Sequence, residues 1–323
     1  MSFEPVQEAA DFDGTVLIVR TDKIDDTLVG FLADVEKKTD LRICLAADGK
    51  KIEANLLTDI NHVVATIEIY GAMNLFVAHD TLWRCGDYCL YLVRAKYPKA
   101  RFFWMIERDV YVNTRDIGHF FMELSRFKDA DFIGSRYHDA KPAWAWYSAM
   151  VPFSSQLYQC VFPVVGFSGR AADCLYERRK DISARYMDTE PKDRQLWPND
   201  EIFCATVATN AGFTCRDLND LGPSTYTRQT LKLTPPLSLR RLMAAKPDEL
   251  LYHPVLSGDE FIQKLEMRLA ADIKKRVAPK ELLATYDKVV REDVALECGE
   301  ERAKKFECDL NLALESCDAK PKI

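Results

Sequence analysis

Residues 101–112 read RFFWMIERDVYV, an apolar and aromatic run that breaks into Glu107-Arg108-Asp109 and then resumes. A run of this length and composition predicts a buried central strand, and carboxylates at its end are costly to bury without a compensating cation. Side chains alternate along a strand, so Glu107 and Asp109 should project the same way and Arg108 the opposite way. Two converging carboxylates indicate a divalent metal site. The competing interpretation is a pair of acids that caps a solvent-exposed strand end.

The size and composition of the chain limit the function classes open to it. With 323 residues, 48% of them hydrophobic, it can bury a large core, in one domain with appendages or in two domains. The formal net charge of -6 and the lack of a basic stripe argue against nucleic-acid binding. The first residues lack the features of a signal peptide, and no stretch approaches the roughly 20 apolar residues of a transmembrane span. We therefore expect a soluble, cytoplasmic protein without a transmembrane segment.

The ten cysteines are scattered along the chain, mostly in apolar segments, and none forms a Cys-x-x-Cys pair. This usage is typical of reduced, buried thiols. Cys85 and Cys89 are spaced to share a helix face, but no second Cys/His pair follows at the spacing of a zinc site. The sequence therefore argues against a structural zinc ion.

Predicted strands alternate with predicted helices over residues 1–255. Residues 15–20 read as a strand, 25–38 as an amphipathic helix and 41–46 as a second strand, a β-α-β unit with parallel pairing. Residues 60–76 fit neither state cleanly. Further strands are predicted at 102–106, 131–135 and 161–165, and further helices at 88–96, 115–127, 170–180 and 200–210. The alternation predicts an α/β fold, a mostly parallel sheet sandwiched by helices.

The character of the chain changes after residue 255. Residues 256–323 are charged and poor in glycine, with apolar residues at helical spacing. This pattern predicts a C-terminal helical extension of two or three helices. We expect these helices to pack on the α/β body or on a second copy of the chain in a homodimer.

Polar side chains follow several of the predicted strands. In open α/β sheets, ligands bind outside the carboxyl ends of the strands, so we expect these side chains to surround one site. They are Arg20-Thr21-Asp22 after the first strand, Asp48-Gly49 after the second, Glu107-Arg108-Asp109 after the central one, Asp200-Glu201 at a later helix start, and His253.

The order of these signals resembles that of GT-A-type glycosyltransferases. The segment 83–88, the helix after it and the strand into Glu107-Arg108-Asp109 are similar to the family's stretch leading into its Asp-x-Asp metal motif. The first acid here is Glu, and this Glu-x-Asp form resembles that of fungal α-mannosyltransferases of the same fold, in which a Glu and a downstream His hold manganese. The resemblance covers about residues 15–255 and leaves the C-terminal helices unexplained.

The resemblance implies a Rossmann-like catalytic domain in residues 1–255 that binds a UDP- or GDP-linked sugar. The sugar would pass to a hydroxyl of a carbohydrate or glycoconjugate acceptor, as in polysaccharide or glycoconjugate synthesis. The resemblance further implies Mn²⁺ or Mg²⁺ held by Glu107, Asp109 and His253, where a divalent ion stabilises a departing diphosphate as a Lewis acid. The alternative for His253 is an ordinary loop or core histidine with a satisfied hydrogen bond.

The resemblance also implies contacts to the donor nucleotide. Asp48 would contact the nucleoside with Arg20 or Thr21 nearby, and Arg84 would help to bind the diphosphate. Arg108 is a further candidate for binding the donor. Two plainer interpretations stay open. An acid followed by glycine is an ordinary turn signal, and Arg84 could be a surface or helix-capping residue.

Two further pairs of residues are candidates for acceptor chemistry. An inverting transfer needs a general base, and Asp200 or Glu201 at a helix start fits that role. The alternative is stabilisation of the helix dipole by first-turn acids, each worth about 0.3–1 kcal/mol. Trp144 and Trp146 alternate, so on an extended segment both rings would face one side and stack against an acceptor sugar. They could equally be core residues.

Two other functions compete with sugar transfer. One is a metal-dependent nucleotidyltransferase or phosphohydrolase that uses the same acids, although the chain has no phosphate-binding glycine loop and no dense His/Asp cluster. The other is a non-catalytic scaffold that binds a nucleotide sugar. The sequence leaves open the sugar, the acceptor and the choice between inversion and retention.

Overall fold

The computed structural model describes residues 6–127, 129–232 and 234–318 of the chain. The contacts between residues divide the chain into two units. The first comprises Met1–Arg108 and Asp116–Pro223, and the second comprises Asp109–Arg115 and Ser224–Ile323. The domain boundary at residue 255 and the homodimer stay predictions.

The strands and helices of the described residues are numbered in chain order. The strands are β1 (Thr15–Thr21), β2 (Arg42–Asp48), β3 (His62–Ala65), β4 (Phe102–Glu107), β5 (Tyr111–Asn113), β6 (Phe132–Asp139), β7 (Tyr158–Ser168), β8 (Cys215–Asp217), β9 (Leu237–Ser238), β10 (Leu250–Tyr252) and β11 (Val255–Leu256). The helices are α1 (Val6–Asp11), α2 (Asp26–Lys38), α3 (Ile67–Ala72), α4 (Thr81–Arg84), α5 (Asp87–Lys96), α6 (Ile117–Leu124), α7 (Tyr147–Met150), α8 (Gly169–Asp188), α9 (Asp200–Asn210), α10 (Leu239–Ala244), α11 (Gly258–Lys274), α12 (Pro279–Thr285), α13 (Lys288–Cys298) and α14 (Glu300–Asp318).

The first unit is built on a seven-stranded sheet in the order β3-β2-β1-β4-β7-β6-β8. Every strand runs in the same direction except β7, which is antiparallel to both β4 and β6. Helices pack against the sheet, so the predicted α/β class with a mostly parallel sheet is confirmed. The predicted β-α-β unit at the start of the chain is confirmed as well, because β1 pairs with β2 in parallel.

The central strands β1 and β4 are buried almost throughout, which is why their sequences are nearly continuous apolar runs. The core of this unit gathers side chains from both strands and from the helices, among them Ile18, Phe103, Met105, Val165 and Phe203. The residues at the strand ends are therefore carried on a rigid, fully packed frame.

Several element boundaries differ from the predictions. The ambiguous residues 60–76 form β3 and then α3, whose N-cap Thr66 accepts a hydrogen bond from the Ile69 N–H. Helix α8 starts at Gly169, where Ser168 caps it, and it is longer than predicted because it continues to Asp188. Helix α5 begins at Asp87, one residue before the predicted start, and the Asp87 carboxylate accepts from Arg179.

The second unit contains two short strand pairs and a helical region. Strand β10 pairs with β5 in antiparallel fashion, and β11 pairs with β9 in parallel. The prediction of two or three C-terminal helices is wrong, because α11 to α14 are four helices within the described residues. Pro279 is the first residue of α12, and Gly299, with φ of +86°, ends α13. These two residues break the charged helical pattern into separate helices. The four helices enclose a core of their own, which includes Phe261, Tyr286 and Phe306.

No helix among the described residues is long and apolar enough to cross a membrane.

Candidate functional site

The ends of β1 and β4 bring an arginine and a glutamate together. Parallel pairing places Arg20 opposite Glu107, and Arg20 Nη1 donates to Glu107 Oε1 at 2.9 Å. The second guanidinium nitrogen, Nη2, donates to the carbonyl of Leu82 at 3.3 Å. Burial lowers the pKa of Arg20, but Glu107 and the other nearby acidic groups raise it more, so the net direction is upward. The arginine therefore stays charged beside the strand-end acid.

Asp200 lies against the same arginine. It is the first residue of α9, which Asn199 caps by accepting from the Ile202 N–H. Asp200 is only 4% exposed, and its two carboxylate oxygens accept from the backbone N–H of Gly86 at 2.7 Å and of Glu201 at 2.8 Å. Its Oδ2 lies 3.8 Å from Arg20 Nη1. Burial raises the pKa of Asp200 well above its ordinary value, against the opposing effects of Arg20 and the Gly86 N–H.

Gly86 is a functional residue that the sequence reasoning missed. A Cβ atom at this position would lie 2.0 Å from Arg20 Nη1 and 2.7 Å from Asp200 Oδ2. Only glycine therefore lets the chain pass close enough to give its N–H to Asp200. An isolated glycine before a helix carries no signal for such a contact in the sequence.

A buried ion pair between α5 and α8 holds the segment that leads into α9. Arg179 on α8 binds Asp87 through two hydrogen bonds of 2.7 and 3.0 Å, and both side chains are completely buried. Arg179 Nη1 also donates to the carbonyl of Pro198 at 2.9 Å, two residues before Asp200. The guanidinium lies 3.7 Å from the ring centroid of Phe203. The pair was missed because its two residues are far apart in the chain.

Arg108 lies in a second charged group of the first unit. Its Nε donates to Asp22 Oδ1 at 2.6 Å, and Lys51 Nζ donates to Asp22 Oδ2 at 2.6 Å. Burial by itself raises the pKa of Asp22, but the hydrogen bonds from Lys51 and Arg108 outweigh it and lower the pKa to about 2. One acid and two cations thus share the region beyond β1 and β2. The sequence analysis did not name Lys51, although it lies three residues after Asp48 and therefore close to the carboxyl end of β2.

Asp48 and Thr21, two predicted donor contacts, make local turn contacts. The Asp48 carboxylate accepts from the Lys50 N–H at 2.9 Å. The Thr21 hydroxyl donates to the carbonyl of Lys23. The turn interpretation of Asp48 therefore agrees with its contacts, and binding of a nucleoside there stays a prediction.

In the second unit, Asp109 and His253 lie side by side. His253 Nε2 is 3.5 Å from Asp109 Oδ1, and its other ring nitrogen, Nδ1, lies 3.0 Å from the carbonyl of Lys232. The backbone fixes both residues, because the carbonyl of Asp109 accepts from the Val255 N–H at 2.7 Å and the His253 N–H donates to Thr230 at 2.8 Å. The histidine is 7% exposed.

Strand β4 ends at Glu107, and Arg108 and Asp109 form a turn after it. The strand alternation predicted for Glu107 and Asp109 therefore does not extend to Asp109. The two carboxylates are nevertheless joined by a short length of chain, because residues two apart have Cα atoms at most about 7 Å from each other.

The tryptophans predicted to contact an acceptor lie just before α7. The expectation of an extended segment is wrong, because Trp144 N–H donates to the Lys141 carbonyl at 2.8 Å and Tyr147 N–H to the Trp144 carbonyl at 3.0 Å, which makes consecutive turns. Trp144 and Trp146 are partly buried against the core of the first unit. Their acceptor role stays a prediction.

Arg84 and Glu201 complete the set of predicted residues. Arg84 forms an ion pair of 2.5 Å with Asp80, and its guanidinium lies 5.2 Å from the ring centroid of Trp146. Glu201 is partly exposed, and its Oε2 accepts from the side-chain amide of Asn199 at 3.1 Å. Glu201 is thus more accessible than its neighbour Asp200.

Two solved structures are similar to this chain in their backbone path. A glycosyltransferase involved in the glycosylation of the major capsid of PBCV-1 is 12% identical over 78% of this chain and 97% of that chain, with a TM-score of 0.35. The apo form of mouse xyloside xylosyltransferase 1 is 11% identical over 63% of this chain and 77% of that chain, with a TM-score of 0.28. No protein-family model and no curated protein matches the chain. Likenesses at these scores carry no argument about function, which rests on the residues of the site.

Proposed function

We propose that this protein is a metal-dependent glycosyltransferase of the GT-A type, which moves a sugar from a nucleotide-diphosphate donor to a hydroxyl acceptor. The observation that carries the proposal is the pairing of Asp109 with His253, which supplies an oxygen and a nitrogen donor 3.5 Å apart. Polar side chains at the carboxyl ends of β1, β2 and β4 support it, because ligands of open α/β sheets bind there.

The donor set fits a hard or borderline divalent ion. Histidines that bind metals usually donate their second ring N–H to a carbonyl or a carboxylate, which fixes the tautomer. The Lys232 carbonyl stands 3.0 Å from His253 Nδ1, so Nε2 is the nitrogen directed at Asp109. Carboxylate oxygen and imidazole nitrogen suit Mn²⁺, and carboxylate suits Mg²⁺. A bound ion of this kind supplies positive charge that stabilises a leaving diphosphate.

Glu107 is proposed as a further ligand because it stands two residues before Asp109 in the chain. Its hydrogen bond to Arg20 uses Oε1. Arg20 holds this carboxylate in place.

The cations around Asp22 are proposed to bind the donor phosphates. Arg108 and Lys51 both bind Asp22, and they are the two cations of this group. An anionic nucleotide diphosphate is attracted to such a group. Asp48, at the end of the neighbouring β2, is the proposed contact to the nucleoside, with Thr21 beside it, and Arg84 is retained as a proposed contact to the diphosphate.

Glu201 is the proposed general base, and Asp200 is a positioning residue. Both oxygens of Asp200 accept backbone hydrogen bonds, whereas Glu201 is partly exposed. A base must reach the acceptor hydroxyl, at a hydrogen-bond distance of about 2.6–3.2 Å. Asp200 instead contacts the Gly86 N–H and the Arg20 guanidinium, and Arg20 in turn binds Glu107 at the end of β4.

Calorimetric titration of the purified protein with UDP and GDP, with and without Mn²⁺, tests the proposal. We expect one of the two nucleotides to bind only when Mn²⁺ is present. Incubation with UDP- and GDP-sugars should then release the nucleotide slowly in the absence of an acceptor. Binding of neither nucleotide would refute the proposal, and rapid hydrolysis of simple phosphate esters would favour the phosphohydrolase instead.

A further inference from the structure

We propose that Trp83, with Trp146 and Arg84, forms an aromatic platform that binds the pyranose ring of the acceptor sugar. This inference rests on the proposed function and adds to it the acceptor subsite and its chemical class. Trp83 had no assigned role in the sequence analysis.

The platform consists of two indole rings held by a charged group. Trp83 is 70% exposed, and its ring centroid lies 6.4 Å from that of Trp146, with the ring planes tilted by 57°. Arg84 lies over the Trp146 ring at 5.2 Å, and Asp80 holds Arg84 through an ion pair of 2.5 Å. Trp146 is anchored against the core, whereas Trp83 presents most of its surface to solvent.

An indole with this exposure needs a reason, because a large aromatic side chain is stabilising when it is buried. Trp83 has no place in the apolar core comparable to that of Trp104 or Trp197, which are 5% and 3% exposed. Trp83 could be replaced by a polar residue at little cost to folding. Its presence indicates a ligand.

The chemistry around the rings matches a sugar. A pyranose has an apolar face of C–H groups, which stacks on an aromatic ring, and a rim of hydroxyl groups, which need hydrogen-bond partners. Here the aromatic surface is small and is bordered directly by the Arg84–Asp80 ion pair. A protein partner would require a broader apolar centre.

The platform is connected to the end of the central strand through α4. Leu82, which precedes Trp83, accepts from Arg20 Nη2 at 3.3 Å, and Arg20 Nη1 binds Glu107 at 2.9 Å. One hydrogen-bonded residue therefore joins the helix that carries Trp83 to the strand-end acid. An acceptor stacked on Trp83 would be held by a helix that is hydrogen-bonded, through Arg20, to the strand-end acid Glu107.

The experiment follows the indole N–H signals of the 323-residue chain by NMR, assigned with Trp83→Phe and Trp146→Phe. The probes are the methyl pyranosides of glucose, galactose, mannose and xylose, with mannitol as a polyol that has no ring face. We expect at least one pyranoside to shift the Trp83 and Trp146 signals, while mannitol does not and the buried Trp104 and Trp197 signals stay in place. Trp83→Ala should weaken that binding about 3- to 10-fold, and Trp83→Phe less.

Met267→Ala, at a residue that is 71% exposed, serves as the control and should leave pyranoside binding unchanged. The platform is refuted if no pyranoside shifts Trp83, if mannitol shifts it equally, or if Trp83→Ala binds as well as the unmodified protein. Calorimetry with UDP or GDP and Mn²⁺ separates the two proposals, since Trp83→Ala should retain nucleotide affinity. Nucleotide binding without pyranoside binding refutes the platform alone, and pyranoside binding without nucleotide binding refutes the transferase alone.

Discussion

Asp200 and Asp109 are two acids of the predicted site, yet their surroundings in the structure differ. Asp200 is 4% exposed and gives both oxygens to backbone N–H groups. The Asp109 side chain is 26% exposed and faces a histidine whose second nitrogen lies against a carbonyl. Under the proposed function, Asp200 positions the chain through its backbone contacts, whereas Asp109, beside the anchored imidazole, holds the cation. Variants of these residues and their neighbours test whether the two acids have these different roles.

Asp109→Asn should have the largest effect. An amide is a poor ligand for a divalent ion, so we expect nucleotide affinity in the presence of Mn²⁺ to fall by more than about 100-fold while the melting curve is unchanged. Calorimetry and thermal unfolding measure the two quantities. Asp26→Asn, at an exposed acid in the first turn of α2, is the matched control and should leave nucleotide affinity unchanged. Unaltered affinity in Asp109→Asn would remove the metal from the proposal.

Glu201→Gln and Asp200→Asn distinguish a catalytic role of Glu201 from a positioning role of Asp200. For Glu201→Gln we expect turnover to fall by about 10²–10⁴-fold with donor affinity and stability retained, since a general base is lost. Asp200→Asn should lower both turnover and stability, because an amide has only one oxygen to accept the Gly86 and Glu201 N–H groups. Steady-state kinetics and urea unfolding distinguish the outcomes. Full activity of both variants would show that neither residue is the base.

Asp87→Asn tests the buried Asp87–Arg179 ion pair, which holds the segment before Asp200. The change leaves the fully buried Arg179 without a charged partner, and breaking such a pair costs about 3–5 kcal/mol of unfolding free energy. Urea unfolding measures this loss. Asp173→Asn removes the more exposed partner of Arg94, and its cost should stay below about 1 kcal/mol. Equal effects of the two variants would contradict the supporting role of the buried pair.

Gly86→Ala tests the close approach of the chain to Arg20 and Asp200. The new methyl group would overlap Arg20 Nη1, and overpacking of this kind costs about 1–3 kcal/mol. Gly30→Ala in α2, where a Cβ meets nothing within 4 Å, should instead stabilise the protein by about 0.5–1 kcal/mol. Thermal and urea unfolding measure both the loss of stability in Gly86→Ala and the gain in Gly30→Ala. A neutral Gly86→Ala would mean that the arginine relaxes without consequence.

Asp22 gives the smallest effect, a pH dependence of stability. Its pKa in the folded protein is lowered to about 2 from an ordinary value of 3.8, so the stabilisation is present above pH 3.8 and is lost as the pH falls towards 2. Since the side chain is 37% exposed, we expect less than about 1 kcal/mol. Urea unfolding between pH 5 and pH 2 should show this slope for the unmodified protein and a shallower slope for Asp22→Asn. Identical slopes would contradict the paired state of Asp22.

Local patterns in the sequence determined the α/β class, the parallel pairing of β1 with β2 and the capping of α9 by Asn199. Each of these features depends on residues close together in the chain, through apolar periodicity or a single capping hydrogen bond. The same locality explains the errors. The turns around Trp144 arise from main-chain hydrogen bonds that alternation of side chains does not encode.

The tertiary structure alone decided which charged groups meet. Arg179 reaches Asp87 from a different helix, and Gly86 gives its N–H to Asp200. His253 reaches Asp109 because the residues on both sides of it are paired with that segment: 250–252 pair with 111–113, and the Val255 N–H donates to the Asp109 carbonyl. Such partners are set by strand order and register, which no local pattern specifies, because a one-residue change of register would bring a different side chain to each position. The sequence therefore indicated which acids lie at strand ends and helix starts, and the fold decided which of them accept hydrogen bonds from the backbone and which face a histidine.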